Sequence, residues 1–244
     1  MSLIRILING YKGRMGQESI KAVNEDPELK LVAQTDLGNN LAETINQSKA
    51  QVVVDFTTAS SAYQNTLNII ESGVRPVIGT SGLLPEEISQ LQLICAKQKL
   101  GGIIAPNFAI GAVLMMKYSQ DAAKYFPHVE VIELHHDGKV DAPSGTAIKT
   151  ANLIAKSRIS APKTIDDKEI FPGARGANAE DIRIHSVRLP GLVAHQEVIF
   201  GGKNQTLTIR HDTIHRDSFM SGVCLSCKKV MDLNKLVYGL EHLL

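Results

Sequence analysis

Residues Ile4–Glu25 read IRILINGYKGRMGQESIKAVNE. The first six are mostly aliphatic and predict a strand buried on both faces. Gly10, Gly13 and Gly16 then punctuate a loop that opens an amphipathic helix, QESIKAVNE. Strand, glycine turn and helix in that order make an anion cradle. The chain turns tightly, its amides are free to face a pyrophosphate, and the helix dipole favours negative charge. The spacing is G-x-x-G-x-x-G where the dinucleotide fingerprint has G-x-G-x-x-G, with Lys12 in the place of the middle glycine. A turn that only packs helix on strand would look the same in isolation, so the flanking sequence has to decide.

That flanking sequence alternates. LKLVAQT predicts a second strand ending at Asp36, and AQVVVDF a third that stops at Phe56-Thr57-Thr58. SAYQNTLNIIES predicts a helix, RPVIGT a strand, Pro85 to about Lys97 a helix, and GGIIAPN a strand. Alternating strands and helices predict a doubly wound, Rossmann-like α/β domain with a parallel sheet over residues 1–107. The pattern then changes. A helix of about 16 residues from Ile110 precedes the strand HVEVIELHH, a helix from Thr146 and a Pro/Gly/Ala stretch through Asn178. Three alternating runs follow, DIRIHSVRL, AHQEVIFG and QTLTIRH. These predict a smaller α+β domain with a mixed, open sheet over 108–216, and closing helices over 217–244 that return to the first domain.

Twenty-six basic and 25 acidic side chains are spread along the 244 residues, leaving a formal charge of +1 and no basic face for a nucleic-acid backbone. No apolar run approaches the roughly 20 residues needed to span a bilayer. The start, MSLIRILING, reads as a mature cytoplasmic start, because it leads into the glycine loop and not into a small-residue cleavage site. Three cysteines suit a reducing compartment. Cys224 and Cys227 form a C-x-x-C pair without partners at zinc-like spacing, and read as small residues on a buried helix face.

Candidate cofactor residues follow from the sheet. Gly10, Tyr11, Lys12, Gly13, Arg14 and Met15 form the first loop. Asp36 stands twenty residues after Gly16, where a carboxylate accepts hydrogen bonds from the adenosine ribose hydroxyls and repels a 2′-phosphate. Leu37 and Gly38 supply no arginine for such a phosphate, although Lys12 and Arg14 stand near in the first loop. NADH is favoured, with NADPH open. Phe56, the run Gly79, Thr80 and Ser81, and the run Ala105, Pro106, Asn107 and Phe108 all close strands at the carboxyl edge, where ligands of such sheets bind.

The densest chemistry is ELHHDGKVDAPSGTA, Glu133–Ala147. Its strand delivers His135 and His136, its loop Lys139 and Asp141, and Ser144, Gly145 and Thr146 form the turn into a helix. Amides at a helix start are free donors, so a substrate carboxylate fits there. His135 can give or take a proton near neutral pH. Adjacent histidines on a strand point to opposite faces, which argues against a shared metal ion, and no metal is expected.

With GYKGRMG, VVDFT, VIGTSG, APNFAIG, this run, AHQEVIF and IRHDTIHRDSFMSG, the whole chain resembles the dihydrodipicolinate reductases. The resemblance implies reduction of a cyclic, imine-bearing dicarboxylate with loss of water, in lysine and diaminopimelate biosynthesis, with NAD(P)H as cofactor. It implies His135 as proton donor or acceptor and Lys139 as second acid, with His136, Ser144, Gly145 and Thr146 on the substrate carboxylates. It also implies that the first-loop residues, Asp36, Gly79 to Ser81 and Ala105 to Phe108 hold the cofactor, and that the chain forms a homotetramer through the second domain's sheet. Lys12 and Leu37 depart from common members of that family. A non-catalytic NAD(P)H sensor or another two-domain dehydrogenase is the alternative, and the presence of both His135 and Lys139 speaks against the sensor.

Overall fold

The computed structural model describes residues 2–160 and 168–244. The chain divides into two compact units, one of Met1–Ile110 with Arg216–Leu244 and the other of Gly111–His215.

In the first unit β1 (Ile4–Asn9), α1 (Arg14–Glu25), β2 (Leu29–Thr35), α2 (Leu41–Ser48) and β3 (Val52–Asp55) are followed by α3 (Ala59–Glu71), β4 (Arg75–Ile78), α4 (Pro85–Gln98) and β5 (Gly102–Ile104). After the second unit the chain supplies α7 (Met220–Lys229) and β11 (Leu236–Tyr238). The six strands are all parallel, in the order β11-β5-β4-β3-β1-β2. Ile6, Leu7, Ile8, Val52, Val53 and Val54 are fully buried, as a sheet covered on both faces requires. The order reverses direction between β1 and β3, the point at which ligands of such sheets bind.

The second unit contains α5 (Ile110–Ala122, from its second residue on), β6 (His128–His135), α6 (Gly145–Ser157), β7 (Ala177–Ala179), β8 (Ile182–Arg188), β9 (Ala194–Gly202) and β10 (Gln205–Thr213). Its sheet runs β10-β9-β6-β8-β7, with β6 and β8 parallel and the other pairs antiparallel. Val129, Val131, Ile182, Ile184, Val198 and Phe200 are buried on one face, while Ile132, Leu134, Val187 and Ile199 on the other are only half-buried. Alternation along each strand reflects a sheet with one covered face.

Three elements differ from the sequence reading. α2 is an eight-residue helix where no helix was expected, begun by Asn40, whose side chain accepts from the Glu43 amide. β7 is a three-residue strand inside the stretch read as irregular; residues 161–167 of that stretch lie outside the described residues. The closing segment is not all helical, because Leu236–Tyr238 pairs with Gly102–Ile104 and becomes the edge strand of the first sheet. Elements of three to eight residues carry too few turns or alternations to show a period. β11 exists because the exposed edge of β5 offers it a hydrogen-bonding partner.

Candidate active site

At the carboxyl edge of the parallel sheet, Gly10 has φ of +86°, and a Cβ there would collide with the Phe56 carbonyl. A Cβ on Gly16 would likewise strike the Gly10 carbonyl, so helix and loop close on each other only with glycine there. α1 starts at Gly13 with no side-chain cap and no acidic residue in its first turn. The amides of its first turn therefore remain available to an anion. By contrast, Asn40 and Ser144 cap α2 and α6 with their own side chains. The bare start of α1 and the two glycine contacts suit a pyrophosphate cradle.

Asp36 closes this loop. Its carboxylate accepts the Lys12 amide at 2.9 Å and the Leu37 amide at 2.7 Å. These bonds, the Lys12 amide first, hold its carboxyl below the usual range, so it is an anion at neutral pH. The Lys12 ammonium lies 5.7 Å from the centre of the Tyr11 ring. Phe56 packs edge-on against Phe108, with centroids 5.9 Å apart, and against Gly79. Ala105 and Phe108 are buried, whereas Ser81 and Pro106 are exposed and Asn107 is half-buried, its side chain accepting the Ala109 amide at 2.8 Å.

Beneath these residues sits one that the sequence reading did not single out. Asp55, at the end of β3, is fully buried, and among the described residues it forms no ion pair. Its carboxylate accepts from Asn9 Nδ2 at 2.7 Å, Asn65 Nδ2 at 3.1 Å, Thr57 N at 3.2 Å, Thr57 Oγ1 at 2.8 Å and Thr80 Oγ1 at 2.6 Å. Asn9 in turn accepts from Thr35 Oγ1 at 2.8 Å. The ends of β1, β2 and β3 and the loop after β4 are thus tied to one carboxylate, at the point where the strand order reverses. Only the D in VVDFT could have signalled it, since a carboxylate closing an otherwise aliphatic buried strand requires partners.

In the second unit β6 carries Val129, Val131, Glu133 and His135 on its covered face. Glu133 is fully buried and His135 is mostly so. Glu133 Oε2 lies 2.5 Å from His135 Nδ1. Arg188, whose Cα pairs with that of His135 across the parallel β6–β8 register, grips Glu133 with both terminal nitrogens, at 2.9 and 2.8 Å. The Ser144 amide donates to Glu133 Oε1 at 3.3 Å. Burial pushes the Glu133 carboxyl up, but hydrogen bonds from Arg188, Ser186 and His135 outweigh it and hold the group below its ordinary range. Burial also lowers His135; Glu133 raises it, while Lys139 and Arg188 push it down, and the net value is below normal. The imidazole is therefore largely neutral near pH 7. With Nδ1–H directed at a carboxylate, Nε2 is the nitrogen left for chemistry.

Lys139 pairs with Asp141 at 2.6 Å, and its amide donates to the His136 carbonyl, which folds the loop back on the strand end. Ser144 caps α6, its hydroxyl accepting the Ala147 amide at 3.2 Å. The next amides, of Gly145 and Thr146, stand in the first turn, where no intrahelical acceptor exists. His135, Lys139 and the 144–146 turn are brought together through Glu133 and the loop; His136 follows the last residue of β6 and is half-buried. Glu133 entered the sequence reading only as the first residue of the run Glu133–Ala147, and Arg188 only as part of the strand run DIRIHSVRL. Among the described residues no group of three or more His, Cys, Asp or Glu is placed to hold a metal ion. Cys95, Cys224 and Cys227 are free and buried, and burial pushes Cys95 up to about 12 and Cys224 up to about 11, so both are unreactive thiols at neutral pH.

A parallel sheet with a glycine loop and an uncapped helix start at its switch point, followed by a unit that holds a histidine on a buried carboxylate beside a helix start, has the layout of a two-unit NAD(P)-dependent oxidoreductase. Comparison with known proteins narrows that class. The family models described as dihydrodipicolinate reductase, N-terminus and C-terminus, match residues 4–108 and 111–244. The 4-hydroxy-tetrahydrodipicolinate reductase of Listeria monocytogenes serotype 4b (strain F2365) is 52% identical over 262 residues, covering 99% of this chain and 100% of the relative. That of Streptococcus gordonii (strain Challis) is 53% identical over 253 residues, covering 99% of each. The dipicolinate-bound dihydrodipicolinate reductase from Paenisporosarcina sp. TG-14 superposes with a TM-score of 0.93 at 45% identity, covering 99% of this chain and 100% of that one. The chain belongs to the dihydrodipicolinate reductase family, and it is an NAD(P)H-dependent oxidoreductase.

Proposed function

We propose that the protein reduces 4-hydroxy-tetrahydrodipicolinate to tetrahydrodipicolinate in lysine and diaminopimelate biosynthesis. The observation that carries this reading is the convergence on buried Glu133 of His135 and the Ser144 amide, which joins a proton-transfer group to an anion-binding helix start. The amides of Gly145 and Thr146, the hydroxyls of Ser144 and Thr146, the Lys139 ammonium and the His136 ring take the substrate carboxylates. His135 then delivers a proton from Nε2, and Lys139 stabilises the anionic form or passes the proton on. The lowered affinity of His135 for a proton fits this task, because two substrate carboxylates arriving nearby favour the imidazolium. The acid is charged when its substrate is present.

The first unit holds the cofactor through Gly10 to Met15, Asp36, Phe56, Gly79 to Ser81 and Ala105 to Phe108. When bound, a reduced nicotinamide supplies the hydride. Asp36 accepts the ribose hydroxyls with the lone pairs that the Lys12 and Leu37 amides leave, and its charge opposes a 2′-phosphate. Lys12, on a mobile stem over Tyr11, recovers little for that phosphate. The preference is for NADH, by a few-fold up to ~100-fold, with NADPH still used. The half-buried Ile132, Leu134, Val187 and Ile199 on the open sheet face support a homotetramer assembled there. Three buried free thiols support a cytoplasmic location; among the described residues no helix is long and apolar enough to cross a membrane.

The test is oxidation of NADH, followed by absorbance, in the presence of the cyclic hydroxy-dicarboxylate made by the preceding aldol step. Turnover is expected with either cofactor. A protein that binds NADH but leaves the dicarboxylate unreduced would overturn the reading.

A further inference from the structure

We infer that Glu133, held by Arg188, is the positioning residue that fixes which nitrogen of His135 works and keeps the proton donor in register with the anion-binding start of α6. The inference rests on the reading of His135 as the acid. Glu133 is shut off from solvent and accepts from Arg188 and His135 Nδ1 on Oε2, from Arg188 and the Ser144 amide on Oε1, and from the Ser186 side chain. A carboxylate so placed accepts only, so the Nδ1 side of His135 carries the hydrogen and the lone pair is left on Nε2. The same carboxylate anchors Ser144, which caps α6, so one buried group holds both halves of the site.

Arg188 is placed to serve Glu133 and not a ligand. Its two terminal nitrogens also donate to the Val187 and Asp141 carbonyls, each at 2.8 Å, so both are already committed within the protein. The Asp141 contact fixes the backbone of the loop that carries Lys139, whose ammonium pairs with the Asp141 side chain. The charged groups around His135 are therefore Glu133 on its own strand, Arg188 on β8, and Lys139 with Asp141 in the loop. Of these only Glu133 touches the ring.

Glu133→Gln separates positioning from mere packing. Its amide NH2 takes the place of Oε1, against Arg188 and the Ser144 amide, or of Oε2, against Arg188 and His135 Nδ1, which then has to accept and carries its hydrogen on Nε2 instead; in either orientation Arg188 loses its anion. With the proton transfer disturbed and the anion site largely intact, kcat is expected to fall ~10–100-fold and KM for the dicarboxylate to change less. The limb of the kcat profile on which activity falls as pH rises should move about one pH unit or more toward acid, because the imidazolium has lost its neighbouring anion. Arg188→Lys, which keeps a cation beside Glu133, should retain most of the wild-type limb position, whereas Arg188→Gln should not. Nitrogen NMR of histidine-labelled protein without ligands, with His135 assigned from the His135→Gln spectrum, should show the hydrogen on Nδ1 in wild type and its loss from Nδ1 in Glu133→Gln. If Glu133→Gln does not fold, the same spectrum of Arg188→Lys decides, and a wild-type ring carrying its hydrogen on Nε2 overturns the inference outright. A limb that stays in place together with an unchanged tautomer in folded Glu133→Gln would also overturn it. Absence of reductase activity in wild type would sink the proposed function, while the spectrum would still report on the positioning.

Discussion

Among the described residues each unit has one fully buried carboxylate near the carboxyl end of a strand, and the two are satisfied in opposite ways. Asp55, in the first, takes five hydrogen bonds from neutral groups: two Asn amides, two Thr hydroxyls and a backbone amide. Glu133, in the second, takes two from a guanidinium, one from a backbone amide, one from an imidazole and one from the Ser186 side chain. The donors of Asp55 do not titrate in the physiological range, so its network is fixed and its effect is geometric. Glu133 shares its charge with a titratable ring that we propose as the acid, so its effect is chemical. Burial is equal; the partners decide what the carboxylate does.

The contrast breaks most directly at the imidazole. His135→Gln is expected to lower kcat by ~10²–10⁴ while NADH affinity, read by fluorescence titration, stays close to wild type. Turnover within about threefold of wild type would remove the chemical half of the comparison. At the other carboxylate, Asp55→Asn should leave donors facing a donor and cost roughly 1–3 kcal/mol in thermal or urea unfolding. NADH binding should weaken with it, but kcat at saturating cofactor and the pH profile should hold. A shifted pH profile in Asp55→Asn would show that the two carboxylates do not differ in kind.

Smaller effects sharpen the same division. Thr146→Val and Lys139→Ala each remove a donor aimed at an anion, and should weaken inhibition by a pyridine dicarboxylate about tenfold or more, with NADH binding unaffected. An unchanged inhibition constant in both variants would take the helix start out of the site. Asp36→Ala should raise kcat/KM for NADPH relative to NADH by about threefold to tenfold at fixed ionic strength, without touching the dicarboxylate constant. The smallest expected signal is in stability against pH. His135 is held below its ordinary value in the folded protein, so the unfolded chain takes the proton first as pH falls. The stability contributed by the neutral ring is present above about pH 6.5 and is lost as pH drops through the folded value. Between pH 7 and 5 the melting temperature of His135→Gln should therefore fall less than that of wild type; an equal or steeper fall would contradict the direction of the shift.

Much of this was legible along the chain. The run Ile4–Gly16, the buried strand VVVD and the alternation in AHQEVIFG announce a doubly wound sheet and a second, half-open one, because burial on two faces or one imprints a distinct period. ELHHDGKVDAPSGTA likewise shows the histidine and the helix start that we propose as proton donor and anion site, since strand end, loop and helix start are all local. α2, β7 and β11 are too short to imprint any period.

Only the tertiary structure decided the partners. Arg188 reaches Glu133 across 55 residues of sequence because β6 and β8 pair in parallel, and no spacing rule connects them. Asn9 and Thr80 reach Asp55 across 46 and 25 residues through the order of the parallel sheet. Leu236–Tyr238 becomes a strand only because β5 has an open edge. Sequence by itself fixes what a residue can do within a turn or two of its own chain, through propensity, period and charge. Which distant side chain meets a buried carboxylate is set by strand order and register, and that meeting surrounds one carboxylate with neutral donors and places the other between a guanidinium and an imidazole.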